Sequence, residues 1–105
     1  MSLKYQIVYW RDIPAQIKGK VGRKRVSRML SKKFQVAIDE AAMQGGMSDT
    51  DSYLQEWRST DWATHDGDAD EFLDKLAAEF ESQYSGARLK GLMVSGGFDT
   101  EENGA

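Results

Sequence analysis

Leu3-Lys4-Tyr5-Gln6-Ile7-Val8-Tyr9-Trp10 decides how the rest of the chain is read. It is dense in aromatic and β-branched residues, which favour strands over helices. Alternation puts Tyr5, Ile7 and Tyr9 on one face and Gln6, Val8 and Trp10 on the other. Large apolar groups on both faces predict a central strand rather than an edge. Arg11-Asp12-Ile13-Pro14 should end it, because Pro14 lacks an amide donor and holds Ile13 extended.

Working outward, Ala15–Lys20 alternates again, and Gly19 and Gly22 mark a turn region before Arg23-Lys24-Arg25. Residues 25–30 fit either a third strand or the start of a long helix. The strand is preferred, because three basic residues in a helix's first turn oppose its dipole, while Ser31 is a good cap for a helix over 32–44. Gly45-Gly46 ends that helix. Ser48-Asp49-Thr50-Asp51 offers a cap and one helical turn. Residues 53–60 fit a strand or a short helix, and alternation favours the strand. His65-Asp66-Gly67 reads as a loop. Asp68 and Glu71 have capping-box spacing, and Phe72, Leu73, Leu76, Ala77, Phe80 and Tyr84 form a clean helical stripe. A short helix over 87–94 follows. The sum is an α+β domain over 1–95: an antiparallel sheet of three to four strands packed on one face by two main helices, with a short C-terminal helix. Residues 96–105, acidic and Gly-rich, are expected to be a disordered tail.

The 105 residues suit one domain, with 40% hydrophobic and 30% charged residues. Absence of Cys excludes a disulfide scaffold, a thiolate metal site and a cysteine nucleophile. No apolar run is long enough to span a membrane, and Met1–Tyr9 lacks the apolar stretch of a signal peptide, which points to the cytoplasm. The net charge of −3 hides a split. Through Phe34 there are ten basic residues against Asp12 alone; from Gln35 there are four against sixteen acids.

Catalytic chemistry finds little support. His65 is the only histidine. Its acidic neighbours match a calcium loop at first, third and fifth places, but Glu71 and Ala77 stand where Gly and Glu are required. An acidic helix N-terminus explains the cluster better. No serine lies in a G-x-S-x-G elbow, Gly19–Lys24 lacks the P-loop spacing, and no dinucleotide-binding glycine pattern occurs. The expectation is a non-enzyme with no cofactor, metal or catalytic residue.

The informative feature is the basic segment: Lys18, Lys20, Arg23, Lys24, Arg25, Arg28, Lys32 and Lys33 lie within sixteen residues without an acid among them. Three readings compete. A protein partner with an acidic surface would be steered by it. Nucleic acid would find phosphate contacts on Arg11, Lys18, Lys20, Arg23, Lys24, Arg25 and Arg28, with nearby aromatics to stack on. The domain's own acidic helices could also neutralise it. Trp10, Trp57 and Trp62 are candidate interface aromatics, and Trp62, in a polar loop, is the one expected to be exposed. The leading expectation is a non-enzymatic interaction domain presenting residues 18–33 to an acidic protein, with nucleic acid as the alternative. Partner identity and oligomeric state do not follow from these residues.

Ile7 through Gln16, Gly22-Arg23-Lys24, Leu30-Ser31, Phe34-Gln35, Ala37 through Met43, Tyr53-Leu54 and Glu56-Trp57-Arg58 together resemble a small alphaproteobacterial family known as the virulence-factor family. The resemblance covers most of residues 7–58. Beyond them it rests on an amphipathic helix with Tyr84 and Arg88-Leu89 near its end. It implies a bacterial stand-alone domain and brings no catalytic motif.

Overall fold

The computed structural model describes residues 2–46 and 50–98. Three strands run antiparallel in succession: β1 (Ser2–Trp10), β2 (Ile13–Val21) and β3 (Lys24–Met29). Helices α1 (Lys32–Gln44) and α2 (Thr50–Gln55) follow, then short strands β4 (Trp57–Ser59) and β5 (Ala63–Asp66). Helices α3 (Ala69–Gln83) and α4 (Gly86–Val94) complete the fold. The sheet order is β3-β2-β1-β4, with β5 also pairing with β1. The architecture is α+β, and β1 is central, as its two apolar faces predict.

Two short turns set the register. Val21 pairs with Lys24 around Gly22-Arg23, and Gly22 has φ 60°, a conformation that glycine adopts without a side-chain penalty. Trp10 pairs with Ile13 around Arg11-Asp12, where Arg11 takes φ 53° without being glycine. The β1–β2 register shifts between Val8 and Tyr9, leaving Ala15 as the extra residue. Pro14 therefore does not end the first strand; it sits inside β2, tolerated beside this bulge.

The helices bury their stripes in two adjoining cores. Leu3, Ile7 and Ile17 pack with Leu73 of α3. Trp10, Ile13, Leu30, Phe34, Ile38, Leu89 and Leu92 form the second core with α1 and α4, and Ala77 and Phe80 adjoin both. Gly19 lies where a Cβ would stand 2.6 Å from the Val26 carbonyl oxygen, so β2 and β3 can approach only without a side chain there.

Three further sequence expectations change. Residues 53–60 divide: Tyr53 and Leu54 belong to α2, and the strand begins only at Trp57. Tyr53 turns back onto the core, where its ring lies 5.6 Å from Trp10 and its carbonyl accepts the Trp10 indole N–H at 2.9 Å. His65 and Asp66 lie in β5 rather than a loop, opposite Leu3 and Ser2. Gly96–Phe98, expected to belong to the free tail, are held in place: the Asp12 amide donates to Gly97 O at 2.9 Å, and Arg11 Nη1 to Gly96 O at 2.7 Å. The Ser48-Asp49 cap and tail residues 99–105 lie outside the described residues.

The helix starts are built as their residues predict, with one substitution of partner. Asp68 Oδ1 accepts the Glu71 amide at 3.1 Å, and Ser85 Oγ accepts the Arg88 amide at 3.2 Å. Ser31 precedes α1 but does not cap with its own oxygen. Its amide and hydroxyl both donate to the Glu81 carboxylate at 2.7 Å, so α3 supplies the negative charge that the start of α1 favours. Lys33 Nζ also reaches the Glu81 carboxylate at 3.6 Å. Desolvation pushes the Glu81 carboxyl upward, but the Ser31 hydrogen bonds and the Lys33 charge outweigh it and hold it below the usual 4.5.

Candidate functional site

Directly paired residues share a face of a sheet, and alternate residues share it along a strand. From the register, one face carries Leu3, Tyr5, Ile7, Ile17, Val26, Arg28 and His65, and it lies against α3. On the other face, Arg25 of β3 is opposite Lys20 of β2, Lys20 opposite Lys4 of β1, and Lys4 opposite Thr64 of β5. The next row is Ser27, Lys18 and Gln6, and the one after is Met29, Gln16 and Val8. Lys4, Lys18, Lys20, Arg25, Ser27 and Met29 are exposed. These rows lie open, whereas farther along β1 the same parity reaches Trp10, which is buried under α1, α2 and α4.

Trp62 stands over it. The Thr60–Trp62 link between β4 and β5 is pinned to β1 at both levels of Ile7: Thr60 N donates to Ile7 O at 3.0 Å, and Ile7 N donates to Thr60 Oγ1 at 2.9 Å. Gln6 Nε2 donates to Thr60 O at 3.0 Å. Trp62 is thus presented from a fixed edge and remains 52% exposed. Two shallow depressions flank it. One, of about 340 Å³, is lined by Gln6, Lys18, Lys20, Arg25, Ser27 and Trp62; the other, of about 400 Å³, by Lys4, Lys20, Trp62 and Thr64.

The basic segment therefore divides between the faces. Arg28 points to α3, with Nε 2.7 Å from Asp74 Oδ1 and Nη2 2.9 Å from Asp70 Oδ1. Its hydrogen bonds to Asp74 and Asp70 raise its pKa further. Lys33 pairs with Glu81. These two are neutralised within the domain. Lys4, Lys18, Lys20 and Arg25 make no ion pair with any described residue. Arg23 and Lys24 are exposed at the β2–β3 turn, away from the Trp62 depressions.

Several sequence candidates are corrected. Trp10 is fully buried among Ile13, Phe34 and Leu89 and presents nothing to a partner. Trp57 is half-buried, edge-on to Tyr53 at 6.1 Å. Arg11 is only 12% exposed. It bonds Glu56 at 3.1 Å and lies between the Trp10 and Phe98 rings, 5.1 and 4.5 Å from their centroids. It fastens the C-terminal segment to the β1–β2 turn instead of waiting for a ligand. Arg28 is likewise removed from the candidate set by its two carboxylates. His65 stacks on Phe72 with centroids 3.8 Å apart, a packing role. Lys4 and Gln6 are gained. Their even positions on β1 match Lys18 and Lys20 on β2, a parity visible once the strands are registered.

No cluster of three or more His or carboxylate groups suited to a metal occurs among the described residues, and no described helix is long and apolar enough to cross a membrane. Fold and face together define a small α+β domain with one sheet face covered and the basic rows of the other open. The virulence factor family profile matches residues 8–93, and the chain belongs to that family. No curated protein and no solved structure matches it.

Proposed function

We propose that this chain is a non-catalytic interaction domain that docks a negatively charged macromolecule on its uncovered sheet face. The observation that carries the reading is the row Lys4–Lys20–Arg25, like charges placed directly opposite one another across three strands. Such pairs destabilise a sheet, so the fold tolerates a cost that a bound anion removes. Sheet spacing puts the three cations across about 10 Å, with Lys18 about 7 Å from Lys20 along the strand. Carboxylates of an acidic protein and phosphates of a nucleic acid both satisfy this pattern. Six of the seventeen acids lie on α3 and at its start, where Asp68 caps the helix and Asp70 and Asp74 pair with Arg28. Asp66 of β5 stands on the same face as Lys4, one row beyond it, but no carboxylate lies within the rows that carry Lys4, Lys18, Lys20 and Arg25. The face thus stays positive although the whole chain is at −3, and steering by such a patch weakens with salt.

Retention on a heparin column tests it. The wild-type chain is retained at low salt despite its negative total. Lys18→Glu/Lys20→Glu/Arg25→Glu flows through, whereas Lys32→Glu/Lys75→Glu/Lys90→Glu, with the same change of net charge, elutes later than the first variant. Equal elution of the two variants overturns the reading.

A further inference from the structure

Trp62 is not accounted for by charge. An indole left half in water beside three lysines gives up burial worth on the order of 1.5–3 kcal/mol, and on a bare sheet nothing in the fold recovers it. The Thr60 hydrogen bonds hold its link rigidly to β1, so the ring is presented at little ordering cost. Its position also matters. Cations lie on both sides of it, Lys18, Lys20 and Arg25 in one depression and Lys4 with Lys20 in the other. A flat π-surface between two sets of cations is complementary to a base with a phosphate on either side. Carboxylates of an acidic segment would use the cations and leave the indole uncovered.

Size narrows the class further. The three open rows of residues span on the order of 300 Å² in plan from strand spacing and rise. A folded protein partner of ordinary affinity covers about 800 Å² on each side, and single duplex-binding modules cover about 600–1,000 Å². A strand of two or three nucleotides fits the area.

Resting on the anion-binding reading above, the geometry points to a short single-stranded nucleic-acid segment as the occupant. One base stacks on Trp62, and its flanking phosphates meet Lys18, Lys20 and Arg25 on one side and Lys4 and Lys20 on the other. Contacts of this kind are sequence-tolerant, because every base has a π-face.

Fluorescence anisotropy with end-labelled octadeoxythymidylate and octauridylate, read against labelled octaglutamate on the full chain, tests the assignment. Binding of an oligonucleotide is expected at about 20 mM salt, weakening with a log–log slope of about −0.7 per phosphate contacted. Trp62→Ala should weaken it about tenfold or more, with Trp62→Phe retaining most of the affinity, while Lys75→Glu on α3 changes little. Far-UV circular dichroism and thermal melts verify that these exposed substitutions leave the fold intact. Oligonucleotide binding that is absent at 20 mM salt, or indifferent to Trp62→Ala, overturns the assignment. Should octaglutamate alone bind, and be lost in Lys18→Glu/Lys20→Glu/Arg25→Glu, nucleic acid is excluded and the broader anion-binding reading stands. Failure of all three probes removes both.

Discussion

Ile17 and Lys18 are neighbours on β2 and meet opposite worlds. Ile17 is fully buried against α3 with Leu3, Ile7 and Leu73; Lys18 stands exposed in the open rows of the other face. The same division repeats on β3, where Arg28 reaches Asp70 and Asp74 while Arg25, three residues earlier, faces Lys20. Cations of one run therefore do two jobs. Those directed at α3 join the sheet to its helix, and those directed away are left without a described counter-ion. What separates them is the parity of their position on the strand, not their chemistry.

The contrast is broken most forcefully at its apolar end. Ile17→Ala should cost about 2–5 kcal/mol, a buried truncation with little room to collapse, whereas Lys18→Ala should stay within about 0.5 kcal/mol of wild type. Urea melts of the two variants measure the difference directly. A similar cost at both positions would mean that the supposedly bare face is packed.

Glu81→Gln should come next, at about 1 kcal/mol, the usual worth of a helix-start partner. It also carries a pH signature. The folded-state pKa of Glu81 lies below its ordinary 4.5, so its contribution is fully present above that value and is lost as pH falls through the lowered folded-state pKa. Thermal melts of wild type and Glu81→Gln should therefore differ at pH 7 and draw together as the pH is taken progressively below 4.5. A gap that persists unchanged in acid would show that the carboxylate is not the source.

The two arginines of β3 sharpen the comparison. Arg28→Gln should lose about 0.5–1 kcal/mol, since its partners are largely exposed and such bridges are worth little. Arg25→Gln should be neutral or slightly stabilising, by a few tenths of a kcal/mol, because it relieves a like-charge cross-strand pair. The smallest effect is the salt response of Lys20→Gln. Its gain should appear at low ionic strength and fade by about 0.5 M, as screening removes the repulsion from Lys4 and Arg25.

Much of this was legible in the residues. The central place of β1, the span of α1 and the long stripe of α3 follow from alternation, caps and helical spacing. Within 53–60 only Trp57–Ser59 is strand, because Tyr53, Leu54 and Trp57 satisfy both periods; the outcome depends on Tyr53 reaching the Trp10 ring, a contact 43 residues away. Trp10 and Arg11 looked like ligand contacts because an aromatic beside a cation has the same composition in a core as at an interface. Only the docking of Gly96 and Gly97 on that turn separates the two. The division of the basic run was closer to the surface of the sequence. Gly22-Arg23 as a two-residue turn places Val21 opposite Lys24, and counting back from it puts Lys20 with Arg25 and Ile17 with Arg28. Lys4 was hidden, since its row depends on the β1–β2 pairing across the Ala15 bulge.

The central claim is that the uncovered face, and not the acidic helices or the β2–β3 turn, receives the anion. A two-dimensional ¹H–¹⁵N spectrum of the labelled chain, titrated with octadeoxythymidylate at low salt, tests it most directly. Three indole N–H signals are available, and Trp10 already donates its own to the Tyr53 carbonyl. The Trp62 indole and the amides of Lys4, Gln6, Lys18, Lys20 and Arg25 should move together and saturate together, while Trp10 and the amides of α3 stay still. Shifts centred on Arg23 and Lys24 alone, or no shift at Trp62, would contradict it.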